Sequence, residues 1–201
     1  MPKLYTRTGD RGKTSLYDMK NISKADWIFK VLGDLDELSA HIGLLCVLLQ
    51  KNIVLGTIEN DYDKRMKHLR RIQTKLLDLG SNFSTMTNRV KTTKTTGEDV
   101  KDLENQIDFF DANTPKLTEF ILAGAGENDS QAQICRAVCR RAERNMWTLI
   151  ELEESDRIED ETFQYINRLS DYFFALSRYL TSAEGLKEIT RRQANESLLS
   201  E

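Results

Sequence analysis

Asp34-Leu-Asp-Glu-Leu-Ser-Ala-His-Ile-Gly-Leu-Leu-Cys-Val-Leu-Leu49 is the stretch on which the fold turns. Its residues Leu35, Leu38, Ile42, Leu45 and Leu49 step alternately by three and four, the spacing of one face of an α-helix. Asp34 stands ahead of them as a candidate N-cap, so the pattern predicts a first helix over 35–50. Working outward, Met66, Leu69, Ile72, Leu76 and Phe83 mark a second helix with basic residues on its other side. Val100, Leu103, Ile107 and Phe110 mark a shorter third, ended by Asn113-Thr-Pro115. A fourth follows the candidate caps Asn128, Asp129 and Ser130 and carries Ala132, Cys135, Cys139, Ala142, Met146 and Leu149. The fifth, over about 162–181, turns Phe163, Ile166, Ser170, Phe173, Leu176 and Leu180 inward. Between them, 51–62 reads as a polar connection. Residues 85–97, with six threonines and three basic residues, read as an exposed loop. Residues 1–26 read as irregular, and the polar residues after Gly185 as a loose tail. Without internal repeats or convincing strand pairs, five amphipathic segments predict an all-α bundle.

Composition agrees. A chain of 201 residues has one domain's length and can bury a core without disulfide or metal support. With 39% hydrophobic and 30% charged residues it is too apolar for disorder and too charged for a membrane protein. Its longest apolar run, 42–49, falls far short of the ~20 residues of a membrane span. A net charge of −3 advertises no nucleic-acid partner. Two prolines and ten glycines are too few for a β-sandwich. The odd count of cysteines, Cys46, Cys135 and Cys139, suggests a reducing compartment. Cys135 and Cys139, four apart, share a helix face as small buried thiols. The first ten residues carry no apolar signal core and no long Arg/Ser-rich transit segment. The chain as given is therefore expected to stay where it is made.

Two stretches could carry chemistry. Thr6-Arg-Thr-Gly9-Asp-Arg-Gly12-Lys-Thr14-Ser15 combines glycines, hydroxyls and basic side chains able to wrap a polyphosphate. It ends like a Walker A loop, but that motif requires glycine where Arg7 stands, and no strand precedes it. A flexible basic N-terminus fits the composition equally well. In Cys135-Arg-Ala-Val-Cys139-Arg-Arg-Ala-Glu-Arg144, Arg136, Arg140 and Arg144 form one helical stripe with Arg141 beside it. Such a face can grip a triphosphate by bidentate hydrogen bonds, or be a solvated surface with Glu143 paired to a neighbour. The basic stretch 64–75 lacks glycine or hydroxyl partners and reads as solvated. Neither His41 nor His68 has the Glu three residues earlier that a di-iron bundle site requires, and no zinc spacing occurs. His41 and Glu37 read as a surface pair. No metal ligand set is expected.

Together the blocks Tyr5-Thr-Arg-Thr-Gly-Asp-Arg-Gly-Lys-Thr14, Gly33-Asp-Leu-Asp-Glu-Leu-Ser39, Phe120-Ile-Leu-Ala-Gly124, Arg136-Ala-Val-Cys-Arg-Arg-Ala-Glu-Arg144 and Asn167-Arg-Leu-Ser-Asp-Tyr-Phe173 are in family order. The chain resembles, over nearly its full length, the PduO-type (MMAB-type) ATP:cob(I)alamin adenosyltransferases, or corrinoid adenosyltransferases. The resemblance implies a ferritin-like, up-down five-helix bundle assembled as a homotrimer, with sites between subunits. It implies a single domain over 1–201: a nucleotide-binding loop over 1–26, the bundle over 34–183 and a flexible tail over 184–201.

The implied reaction moves the 5′-deoxyadenosyl group of ATP, carried with Mg²⁺, to the cobalt of reduced cobalamin and releases triphosphate. Carried over, Thr6, Arg7, Thr8, Gly9, Thr14, Ser15 and Lys24 would hold ATP, with Arg140, Arg141, Glu143, Arg144 and Asn167 completing the nucleotide site. Asp36 and Arg136 match an ion pair across the subunit interface near the corrin. Phe120 matches an aromatic that covers the lower corrin face and displaces dimethylbenzimidazole, which eases reduction of Co(II) to the nucleophilic Co(I). The protein's own task is then alignment and support for the departing triphosphate. An electron-donor flavoprotein and a cobalamin-dependent enzyme are implied partners; a membrane and nucleic acid are not. The implied location is the cytoplasm, or the mitochondrion if a transit peptide has been removed.

Two features depart from the family pattern. Ala123-Gly-Ala-Gly126 stands where a proline-containing turn is usual, and 150–162 is about three residues longer. A catalytically weak homologue that carries or escorts ATP or cobalamin is the alternative from another class, and a helical nucleic-acid binder is a more distant one.

Overall fold

The computed structural model describes residues 5–54, 61–85, 93–154 and 157–198. Much of the expected 51–62 connection and the centre of the 85–97 loop lie outside those residues, as do positions 155 and 156 of the lengthened 150–162 stretch. Among the described residues are six helices and two short ribbons, in the order β1 (Lys13–Thr14), β2 (Ile22–Ser23), α1 (Trp27–Val54), α2 (Asp61–Ser84), α3 (Gly97–Ala112), β3 (Ile121–Leu122), α4 (Glu127–Glu153), α5 (Asp160–Ala183), β4 (Ile189–Thr190) and α6 (Arg191–Leu198). None of the helices is long and apolar enough to cross a membrane.

α1 begins earlier than its leucine pattern suggests. Asp26, not Asp34, caps it: Asp26 Oδ1 accepts the Ile28 amide at 3.1 Å. Asp34 is instead buried within the helix and bonded to α4. The expected face does go inward, with Leu38, Ile42, Leu45 and Leu49 all at 0% exposure. Each buried leucine contributes about 1.5–3 kcal/mol of gross hydrophobic stabilisation. α3 starts at a capping box in which Thr96 and Asp99 satisfy each other's backbone amides. α4 is capped by Gly126, so Asn128, Asp129 and Ser130 lie inside its first turn.

α1 packs against α2 and α4, and α5 against α4 and α3, around a core that draws on all five long helices. Cys135 and Cys139 are buried there, as expected, and so is Cys46. The basic face of α2 is less solvated than its composition suggests. Arg65 is buried, its guanidinium 4.7 Å above the Phe109 ring and 5.0 Å above Phe110, and Lys75 reaches Asp99 at 3.0 Å. Aromatic stacking and a carboxylate across the gap replace the water those cations would otherwise need.

Two segments read as irregular contain ribbons. β1 pairs antiparallel with β2, and β3 with β4. The segment around Glu188, in the stretch expected to be loose, is docked through buried Arg178, which donates to Glu188 Oε1 and to the Pro115 carbonyl, each at 2.6 Å. Strands of two residues are too short to show an alternating pattern, and β3 and β4 lie far apart along the chain, so neither ribbon leaves a periodic trace.

Candidate functional site

The N-terminal loop is folded by its own backbone. In the β1–β2 ribbon Lys13 faces Ser23 and Thr14 faces Ile22. Beyond it the Lys24 amide donates to the Gly12 carbonyl at 2.9 Å. This return places Lys24 Nζ 3.0 Å from where a β-carbon on Gly9 would stand, an approach that glycine leaves open. A bare backbone turn under an ammonium is a suitable cradle for an anionic group. The Thr6 and Thr8 hydroxyls bond each other at 2.8 Å, and Arg7, in the left-handed region at φ 61°, holds its guanidinium 5.4 Å above the Tyr5 ring. Thr6, Arg7, Thr8 and Ser15 are exposed and Thr14 is half-buried. The structure thus brings Gly9 and Lys24 together and leaves the hydroxyls and Arg7 open to solvent.

On α4, Arg140 and Arg144 are exposed, and Arg144 Nη1 donates to the Arg140 carbonyl at 3.0 Å. Arg136, half-buried, lies 5.5 Å above the Phe174 ring of α5. Arg141 departs from this group. Its Nε donates to Asp34 Oδ1 at 2.9 Å and its Nη2 to Glu37. The hydrogen bond to Asp34 raises the Arg141 pKa further, so this charge is permanent and already engaged within the chain. Asp34 also accepts from Asn145 Nδ2 at 2.6 Å, and Gln131 Nε2 donates to the His41 carbonyl at 2.8 Å. These bonds lock α1 to α4 and keep the arginine face rigid. Reading Asp34 as a cap hid this lock; its signal was Asp34 and Glu37 at helical spacing, facing a helix rich in arginine.

Asp36 and Arg136 do not meet within one chain. Asp36 is exposed on the α2 side of α1, where Leu76, Leu77 and Gly80 help line a groove of about 350 Å³. Arg136 faces α5 on the far side of α4.

Glu143 and Asn167 do come together, Asn167 Nδ2 donating to Glu143 Oε1 at 3.0 Å across α4 and α5. Beside them Trp147 and Phe163 stack at 4.0 Å with planes 26° apart. These four residues help line a cleft of about 470 Å³, with Arg168 at its edge. Sequence reasoning passed over the aromatic pair. Trp147 follows Glu143 by four and Phe163 precedes Asn167 by four, so helical register alone contained that signal.

Phe120 is 83% exposed, ahead of β3. Its carbonyl accepts the Arg191 amide at 3.0 Å, and it borders a cleft of about 360 Å³ shared with Arg191, Arg192 and Asn195. The turn after β3 is bonded to a residue the sequence reading used only as a cap, Asp129. The N-terminal ribbon instead packs at the opposite end of α4, beside Leu149 and Leu152. At ~1.5 Å per residue the 27 residues of α4 hold these two features roughly 40 Å apart within one chain.

Burial pushes the Cys135 thiol up to about 12 and raises those of Cys139 and Cys46. None is a ready thiolate near neutral pH.

Long helices presenting exposed arginines, with a glycine- and threonine-bearing loop at one end, define a helical protein with an anion-binding surface. A family model described as Cobalamin adenosyltransferase matches residues 4–180, and the chain belongs to that family. The cobalamin adenosyltransferase of Cupriavidus metallidurans is 36% identical over 197 residues, covering 98% of each chain. Corrinoid adenosyltransferase MMAB of Homo sapiens is 35% identical over 193 residues, 94% of this chain and 72% of the relative. Among solved structures, a variant of the PduO-type ATP:corrinoid adenosyltransferase of Lactobacillus reuteri complexed with cobalamin and ATP superposes with a TM-score of 0.80. It is 30% identical over 94% of this chain and 99% of its own.

Proposed function

We propose that the protein transfers the 5′-deoxyadenosyl group of ATP to the cobalt of Co(I) cobalamin. Co(I) attacks C5′, a Co–C bond forms, and the C5′–O bond breaks with its electron pair leaving on triphosphate. The observation that carries this reading is the likeness, along 94% of the chain, to a homologue complexed with both cobalamin and ATP. The residues present fit such substrates. Gly9 beneath Lys24, with Thr6, Arg7, Thr8, Thr14 and Ser15 nearby, holds the triphosphate end. Arg140 and Arg144, the exposed cations of α4, support its charge as it departs. Glu143 and Asn167, already hydrogen bonded, orient the nucleoside. Arg141, engaged with Asp34 and Glu37, holds the α4 face in register. Phe120 covers the lower corrin face. Magnesium accompanies the triphosphate as part of the substrate.

The five long helices form a five-helix bundle within one domain, and the working assembly is a homotrimer. This is supported by the loop and Phe120 lying at opposite ends of α4, and by Asp36 and Arg136 facing away from each other. A site that uses them jointly takes them from neighbouring copies. Co(II) is reduced by an electron-donor flavoprotein and the product passes to a cobalamin-dependent enzyme, in the cytoplasm or, for a form imported there, the mitochondrion.

The test mixes the protein with ATP, Mg²⁺ and chemically reduced cobalamin and follows the visible spectrum. The expected result is conversion to adenosylcobalamin with one triphosphate released per turnover. Binding of both ligands without spectral conversion would identify a carrier instead.

A further inference from the structure

We infer that Asp129 is a positioning residue for Phe120, and through it for reduction of the corrin's cobalt. This rests on the proposed placement of Phe120 at the lower corrin face. With its ring 83% exposed, Phe120 gains little orientation from side-chain packing, so its backbone must supply it. On one side that backbone is held by the bond from the Arg191 amide to the Phe120 carbonyl. On the other it runs through Ala123-Gly-Ala-Gly126, which has no proline and no bulky side chain to restrict it. Gly124 sits at φ 115°, a conformation open to glycine and few others.

What holds this turn is the Asp129 carboxylate. Asp129 Oδ2 accepts the Gly124 amide at 2.9 Å and the Ala125 amide at 3.0 Å. Asp129 is 3% exposed and belongs to the first turn of α4. Its side chain therefore reaches back out of the helix to the two residues that lead from β3 into it. A charged acceptor taking two amides makes short, directional bonds, and burial shields them from competing water. The strand that follows Phe120 is thereby tied to α4, which packs against both α1 and α5. Asp129 does by hydrogen bonding what a proline ring would do covalently.

A plain helix-capping role would lower stability without regard to cobalt oxidation state. The test therefore compares adenosylcobalamin formation from Co(II) cobalamin plus reductant with formation from chemically pre-reduced Co(I) cobalamin. Asp129→Ala is expected to lose tenfold or more with Co(II) and less than threefold with Co(I), at unchanged ATP affinity. Asp129→Asn keeps an acceptor oxygen and should stay within threefold of wild type on both substrates. In a Phe120→Ala background, Asp129→Ala should add no further loss, because its effect runs through that ring. Should Asp129→Ala fail to fold, Gly124→Ala perturbs the same turn. A β-carbon there meets nothing within 4 Å but opposes the φ, and the same Co(II)-selective loss is expected. Equal losses with both cobalt states, or losses additive with Phe120→Ala, overturn the inference while leaving a selective Phe120→Ala effect standing. Equal loss in Phe120→Ala itself overturns the placement of Phe120, and the role of Asp129 falls with it.

Discussion

Arg140 and Arg141 are neighbours in sequence with different surroundings. Arg140 is exposed on the arginine face, and its own carbonyl helps fix Arg144. Arg141 is bound to Asp34 and Glu37, and its removal would leave a buried carboxylate with Asn145 as its remaining partner. Losing one partner of a buried polar group costs about 1–3 kcal/mol. Losing a preorganised donor to a departing charge costs about 10²–10³ in rate. Arg140→Ala should therefore cut kcat by that factor with an unchanged melting temperature. Arg141→Ala should mainly lower the melting temperature. Thermal denaturation and initial rates on the two proteins check this, and a reversed pattern would exchange the two roles.

Between helices, polar contacts matter as much as the leucine faces. His68 of α2 is 7% exposed, its Nδ1 is 3.5 Å from Asp102 Oδ2 of α3, and its ring lies 5.2 Å from Tyr172 of α5. Its Nε2 is buried without a hydrogen-bond partner among the described residues. Burial lowers the His68 pKa against the pull of Asp102, and Arg65 and Arg71 lower it further. The unfolded chain then binds the proton more tightly than the native state. The stability contribution is complete above pH ~6.5 and is lost as pH falls from there toward the lowered native value. Urea midpoints measured from pH 7.5 to 5 should fall for the wild type and fall less steeply for His68→Gln, which does not titrate. Parallel curves would remove His68 from the acid sensitivity of the α2–α3–α5 contact.

For the molecule as a whole, several large apolar side chains on α1 and α2 are exposed, as surfaces buried in an assembly would be. Leu44 and Val47 of α1 are 48% and 57% exposed, and Leu77 of α2 is 69% exposed beside the groove that holds Asp36. Light scattering should give three times the 23.2 kDa chain mass at micromolar protein. A single-chain mass under the same conditions would reject the trimer. If Asp36 and Arg136 pair between copies and are buried there, Arg136→Ala strands a carboxylate at a cost of ~3–5 kcal/mol and should shift the trimer toward smaller species.

The five long helices were legible in the sequence because each buries one stripe, and a stripe repeats every three to four residues whatever lies opposite it. Leu38, Ile42 and Leu45 needed no partner to be read as core. The arginine block and the N-terminal glycine loop were also legible as candidates, since they are runs of consecutive or regularly spaced residues, whereas Phe120 entered only through the family resemblance. Asp34 was misread as a cap because a carboxylate ahead of a leucine pattern has the same local signature whether it ends a helix or bonds to another one. The β3–β4 ribbon, the docking of residues beyond Gly185 and the hold of Asp129 on the Gly124–Ala125 turn left no periodic trace. Each depends on groups that only folding brings together, from Arg191 some seventy residues beyond Phe120 to the bend that carries Asp129 back over its own helix start. Sequence periodicity determined which surfaces are buried and which residues are candidates for chemistry. Tertiary contacts decided which of those charges stay free for a ligand, because a charge paired across helices is no longer available to one.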